Sequence, residues 1–115
     1  MSSHKTSRLA KERRRSERVL AQVPARWLRR TGTANLATAD VCVRGLFLCT
    51  TEPARIGELL KIELALPGGP LTMMVVVRNS GLRGGHAGLG VEVYQLAEDE
   101  TVRWMRFCST LGASR

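Results

Sequence analysis

Two short stretches of the chain hold residues whose types and spacing could do chemistry. The first is Arg13-Arg14-Arg15-Ser16-Glu17-Arg18. Arginine offers a planar fork of donors that pairs bidentately with phosphate, presents two donors to the O6 and N7 edge of guanine, and stacks on aromatic faces. A lysine cluster would not do all three. Taken alone, the run reads equally well as a solvated basic tail. The second stretch is Asp40-Val41-Cys42-Val43-Arg44-Gly45. Its carboxylate could accept from a guanine N1 and N2 edge or orient an arginine, and its glycine admits a close backbone approach. Taken alone, Asp40 and Gly45 are ordinary turn residues and Cys42 a small buried hydrophobe. Catalytic constellations are missing: His4 falls in a polar N-terminal stretch, His86 in a glycine-rich loop, and no carboxylate pair or Ser/His/Asp spacing stands out. The expectation is a binding protein and not an enzyme, with no metal site and no cofactor.

The elements that must position these stretches follow from pattern. At 115 residues the chain has room for one small domain, and 43% hydrophobic with 24% charged residues is the composition of a folded protein. The net charge is +8, with a pI near 10.7. Residues 1 to 18 carry seven bases against Glu12 and Glu17, or +5 of that total. This excess favours a phosphate-bearing or acidic partner. The three cysteines, Cys42, Cys49 and Cys108, form no CxxC pair and no even-numbered framework, and no window reaches the ~18 apolar residues of a membrane span. A cytoplasmic protein with no membrane partner is expected.

Residues 1–18 read as a flexible basic arm and 19–115 as the folded domain. Val23, Ala25 and Trp27 alternate as a strand, residues 33–41 form a weakly patterned second, and Leu46 to Thr50 a third. Leu60, Ile62, Leu64 and Leu66 give the clearest strand, paired as a hairpin across Pro67-Gly68-Gly69-Pro70 with the run Leu71 to Val77. A polar loop over 78–85 then leads to a sixth strand carrying Leu89, Val91 and Val93. Thr101, Trp104, Phe107, Cys108 and Leu111 share one face of a closing helix that Gly112 could end. The reading is mostly β: a six-stranded antiparallel barrel with a C-terminal α-helix, since closure removes exposed edges from short strands. Trp27, Trp104 and Phe107 belong to its core.

In this order and spacing the two stretches resemble the PilZ domain family. Its hallmarks are an RxxxR motif before the first strand, met by Arg14 to Arg18, and a (D/N)xSxxG motif, met by Asp40 and Gly45 with Cys42 at the serine position. GLFL from Gly45, EPARIGELLKIELALPGG and GLGVEV extend the likeness over about residues 13–111. The resemblance implies a PilZ barrel and a receptor for the bacterial second messenger cyclic di-GMP. Arg14 and Arg18 would clamp phosphates and guanine edges, and Asp40, Cys42 and Gly45 would form the barrel-side wall. Arg13 completes an RRxxxR version similar to members that bind an intercalated ligand dimer. A thiol is a poorer hydrogen-bonding group than the family's hydroxyl, so Cys42 should cost about 0.5–1.5 kcal/mol, or roughly two- to tenfold in affinity.

A ligand with charged phosphates and two purines would order the arm against the barrel, and the change would pass to an unidentified downstream protein. Two other readings stand beside this one. A degenerate PilZ adaptor would have lost the nucleotide and would act by protein–protein interaction. A basic barrel could instead hold nucleic acid, although 4% aromatic residues leave few rings for stacking bases.

Overall fold

Alternation of apolar and polar side chains builds the wall of the molecule. A computed structural model describes residues 19–113 in eight elements: β1 (Val19–Leu20), β2 (Pro24–Arg29), β3 (Gly32–Cys42), β4 (Gly45–Cys49), β5 (Leu59–Leu66), β6 (Gly69–Arg83), β7 (His86–Gln95) and α1 (Glu98–Ala113). The basic arm, and with it Arg13, Arg14 and Arg18, lies outside the described residues. All strand pairings are antiparallel, in the order β3-β2-β5-β6-β7-β4, and a β3–β4 pairing closes the ring into a six-stranded barrel. The mostly-β barrel with a C-terminal helix is thus as expected. A seventh strand, the two-residue β1, adds to the far end of β3, with Val19 opposite Val41 and Leu20 opposite Asp40.

The inner face is almost wholly apolar. Leu46, Leu48, Ile62, Leu64, Leu71, Val75 and Val77 are wholly shielded from solvent. Each such side chain contributes about 1.5–3 kcal/mol by leaving water. Trp27 joins them, as does Trp104 of α1. The helix lies across the barrel with Trp104 and Cys108 turned inward and Phe107 packed partly against them. Hydrogen bonds tie it to the β3–β4 turn and to the start of β6: Trp104 Nε1 donates to Val43 O at 2.9 Å, and Arg103 donates to Gly69 O at 2.7 Å and Pro70 O at 3.1 Å. Glu98, Asp99 and Glu100 in its first turn complement the helix dipole.

Two expectations need correction. The segment 78–85 is not a loop: β6 runs on to Arg83, β7 starts at His86, and only Gly84-Gly85 turn between them. Both glycines hold positive φ, 58° and 83°, as a two-residue hairpin turn demands. This extension is mostly polar and, Leu82 included, mostly exposed, which is why it resembles a loop in sequence. The helix, in turn, continues through Gly112 to Ala113. A single glycine costs a helix only about 1 kcal/mol relative to alanine and does not by itself end one.

Candidate ligand-binding face

Two β-bulges place the site. Along β3 the even-numbered side chains Ala34, Leu36 and Thr38 face the barrel interior, opposite Trp27 and Ala25 of β2 and Leu48 of β4. The register with β4 then shifts between Thr38 and Asp40, so that Ala39 is an extra residue, Asp40 lies opposite Phe47, and Val41 lies opposite the core residue Leu46. One inserted residue reverses which face each later side chain takes. Asp40 and Cys42, which would otherwise enter the core, therefore point to the outer face with Phe47. The same happens on β6, where Leu71, Met73, Val75 and Val77 face inward and a shift between Val77 and Asn79 turns the odd-numbered residues outward. Asn79 and Arg83 thus share the outer face with Asp40.

Glycines let this face form. A Cβ on Gly45 would run into the Val91 carbonyl oxygen, and one on Gly88 into the Leu48 carbonyl oxygen and the Phe47 ring. The Phe47 ring therefore lies close against Gly88 of β7 and is almost fully buried although it is on the outside of the barrel. Arg83 crosses above it, its guanidinium carbon 4.9 Å from the ring centre, and Nη1 donates to Asp40 Oδ2 at 2.9 Å. The two partners differ in accessibility: the side chain of Asp40 is 4% exposed and that of Arg83 38%. Of the two tasks open to Asp40, accepting from a base or orienting an arginine, the geometry has it performing the second.

The Thr38 hydroxyl accepts from Val23 N at 2.9 Å and donates to Ala21 O, fastening the β1–β2 connection over this end of the face. A cavity of about 580 Å³ opens there, lined by Leu20, Thr38, Ala39, Cys49, Arg83 and His86. Burial raises the Cys49 thiol pKa, and the charge of Asp40 raises it further. On the other side of the motif a smaller cavity of about 240 Å³ is lined by Cys42, Arg44, Gly45, Arg78, Asn79 and Glu92. Arg78 Nε donates to Glu92 Oε1 across it at 2.7 Å. A third cavity of about 460 Å³ lies away from the motif, between α1 and the β5–β6 turn, against Leu66, Phe107 and Leu111.

Of the residues singled out from the sequence, Asp40, Cys42 and Gly45 come together on the outer face, with Gly45 directly opposite Cys42. Sequence reasoning missed Arg83 and Phe47. The glycines at alternate positions 88 and 90 were the available signal, since paired small residues on one face of a strand mark a place where something lies close to the backbone. All three cysteines are free. Among the described residues no three of His, Cys, Asp and Glu gather as a metal site, and no helix is long and apolar enough to cross a membrane.

Comparison with known proteins agrees with this fold. The model of the PilZ domain matches residues 12–108. No curated protein matches the chain. Among solved structures, the Bacillus subtilis inhibitor of motility MotI/DgrA superposes with a TM-score of 0.75 at 13% identity, over 85% of this chain and 50% of that one. The PilZ domain with c-di-GMP of YcgR from Escherichia coli gives 0.71 at 16% identity, over 89% and 93%. The MrkH–c-di-GMP complex of K. pneumonia gives 0.68 at 21% identity, over 90% and 54%. The chain thus spans about half the length of MotI/DgrA and of MrkH.

Proposed function

The chain belongs to the PilZ domain family, and on that premise we propose that it is a receptor for cyclic di-GMP that works by ordering its basic arm. One observation carries the reading from family to molecule. Strand β1 begins at Val19, the residue that follows Arg18 in the sequence, and pairs with Val41, between Asp40 and Cys42. The RxxxR stretch therefore adjoins in sequence a strand laid directly beside the second motif. Arg14 and Arg18 clamp the phosphates and guanine edges, Asp40, Cys42 and Gly45 supply the barrel side, and Arg13 favours an intercalated pair of ligands. Charge-assisted hydrogen bonds offset the entropy of ordering the arm, and the ordered arm is the signal offered to a downstream protein in the cytoplasm. No step of this requires catalysis.

The test is a calorimetric titration of the full chain with cyclic di-GMP at moderate salt, beside an Arg14→Ala/Arg18→Ala double variant. Saturable binding by the wild type, lost in the double variant, is the expected result, and its stoichiometry reports on Arg13. Cys42→Ser should tighten binding roughly two- to tenfold by restoring a hydroxyl. Absence of binding at high micromolar ligand would leave the protein as an adaptor acting through protein contacts. Equal binding to unrelated polyanions would make it a nucleic-acid-binding barrel.

A further inference from the structure

From the stack of Arg83 on Phe47, held by Asp40, we infer that Arg83 is a further ligand-contacting residue, a planar cationic shelf on which a guanine base of the ligand lies. This role rests on the receptor reading above. Several features separate it from a mere counter-ion. One face of the guanidinium is covered by the Phe47 ring at 4.9 Å, and one donor is fixed on Asp40 at 2.9 Å. The side chain nevertheless keeps 38% of its surface in solvent, while its carboxylate partner keeps 4%. What stays accessible is thus part of an arginine whose orientation is already set. A flexible arginine must be ordered when it stacks on a base; this one has been ordered by the fold, so less free energy is lost on binding.

The location also fits a planar ligand. Arg83 lines the 580 Å³ cavity, a volume within the roughly 300–1,000 Å³ of small-molecule sites, and its neighbours there include the apolar Leu20 and Ala39. Leu20 is 85% exposed although it sits in a strand opposite Asp40. A purine between Leu20 and Arg83 would cover an apolar side chain and a cation face together, which water does poorly. Asp40, almost inaccessible itself, then acts as a positioning residue: it holds Arg83 in place.

Lysine at position 83 can keep the charge and the ion pair with Asp40 but has no planar face to offer. The experiment is therefore calorimetric titration of cyclic di-GMP into full-length wild type, Arg83→Lys and Arg83→Gln, with thermal melts of the free proteins and near-ultraviolet circular dichroism of the bound guanines. Arg83→Lys should melt close to the wild type, bind about tenfold more weakly and lose the dichroism of the stacked base. Arg83→Gln, a planar amide that can still donate to Asp40, should bind better than Arg83→Lys, and it provides the comparison if the lysine variant folds poorly. Wild-type affinity and dichroism in Arg83→Lys, or in Arg83→Gln should the lysine variant misfold, would overturn this role while leaving the receptor reading intact. Absence of binding by the wild type would overturn both.

Discussion

Arg78 and Arg83 both belong to β6, and each pairs with a carboxylate, Glu92 of the adjoining β7 for the first and Asp40 of the more distant β3 for the second, yet the two pairs are built differently. Arg78 meets Glu92 at 2.7 Å with both side chains about half exposed, 58% and 44%. Arg83 meets Asp40 at 2.9 Å, and there the carboxylate is 4% exposed and the guanidinium rests on an aromatic ring. The shorter contact is the weaker one energetically, because water and salt screen an exposed pair whatever its geometry. The lesson is that burial of one partner, more than distance, decides what an ion pair can hold in place. Arg78 decorates the face, whereas Arg83 is locked into it.

Breaking the buried pair should have the largest effect. Arg83→Met takes a charge-assisted donor from a carboxylate that water scarcely reaches, and should lower stability by roughly 2–3 kcal/mol in chemical denaturation. Combined with Asp40→Asn, the loss should be clearly less than the sum of the two single losses, because the carboxylate charge has gone as well. Removing the ring beneath the guanidinium comes next. Phe47→Leu should cost about 1–2 kcal/mol through lost packing on the β7 backbone and a lost cation–π contact, and should loosen Arg83 without discharging Asp40.

The inner side of the wall offers a contrast with no carboxylate in it. Burial, aided by the neighbouring Cys42, raises the pKa of the Cys108 thiol from 9.0 to about 12. The folded state then holds a proton that the unfolded chain gives up. Its contribution to stability is fully present below pH 9 and is lost as pH rises towards 12. A denaturation series across that window should slope downward, and Cys108→Ala should flatten the slope while lowering stability below pH 9. The smallest effect belongs to the exposed pair. Arg78→Met should change stability by less than about 1 kcal/mol, and the change should fade in 0.5 M salt, as the Asp40–Arg83 coupling should not.

Much of this molecule was legible in its sequence where phase is continuous. Leu60, Ile62, Leu64 and Leu66 alternate without interruption, and all four are buried in β5 as read. Trp104 and Cys108 fall one helical turn apart and are both buried. The candidate site was legible only in part, because it is built where phase breaks. A reader who carries the alternation of Ala34, Leu36 and Thr38 onward puts Asp40 inside the barrel; the extra residue Ala39 puts it outside. The register shift at Arg78 does the same for Arg83, hidden further by the polar, loop-like composition of that stretch. Nor does local sequence say that two residues 43 positions apart will pair. Phe47 misleads for a related reason: it looks like one more core residue in the run LFLC, and it is buried, but on the outer face.

The most direct test of the central claim is a heteronuclear NMR titration of the full chain with cyclic di-GMP, followed at backbone amides. If the outer face of β3, β4, β6 and β7 is the receptor site, the largest changes will fall on Gly45, Phe47, Arg83, Gly88 and Gly90, with little movement at Leu66, Phe107 and Leu111. Changes centred on the groove beside α1, or none at saturating ligand, would contradict it.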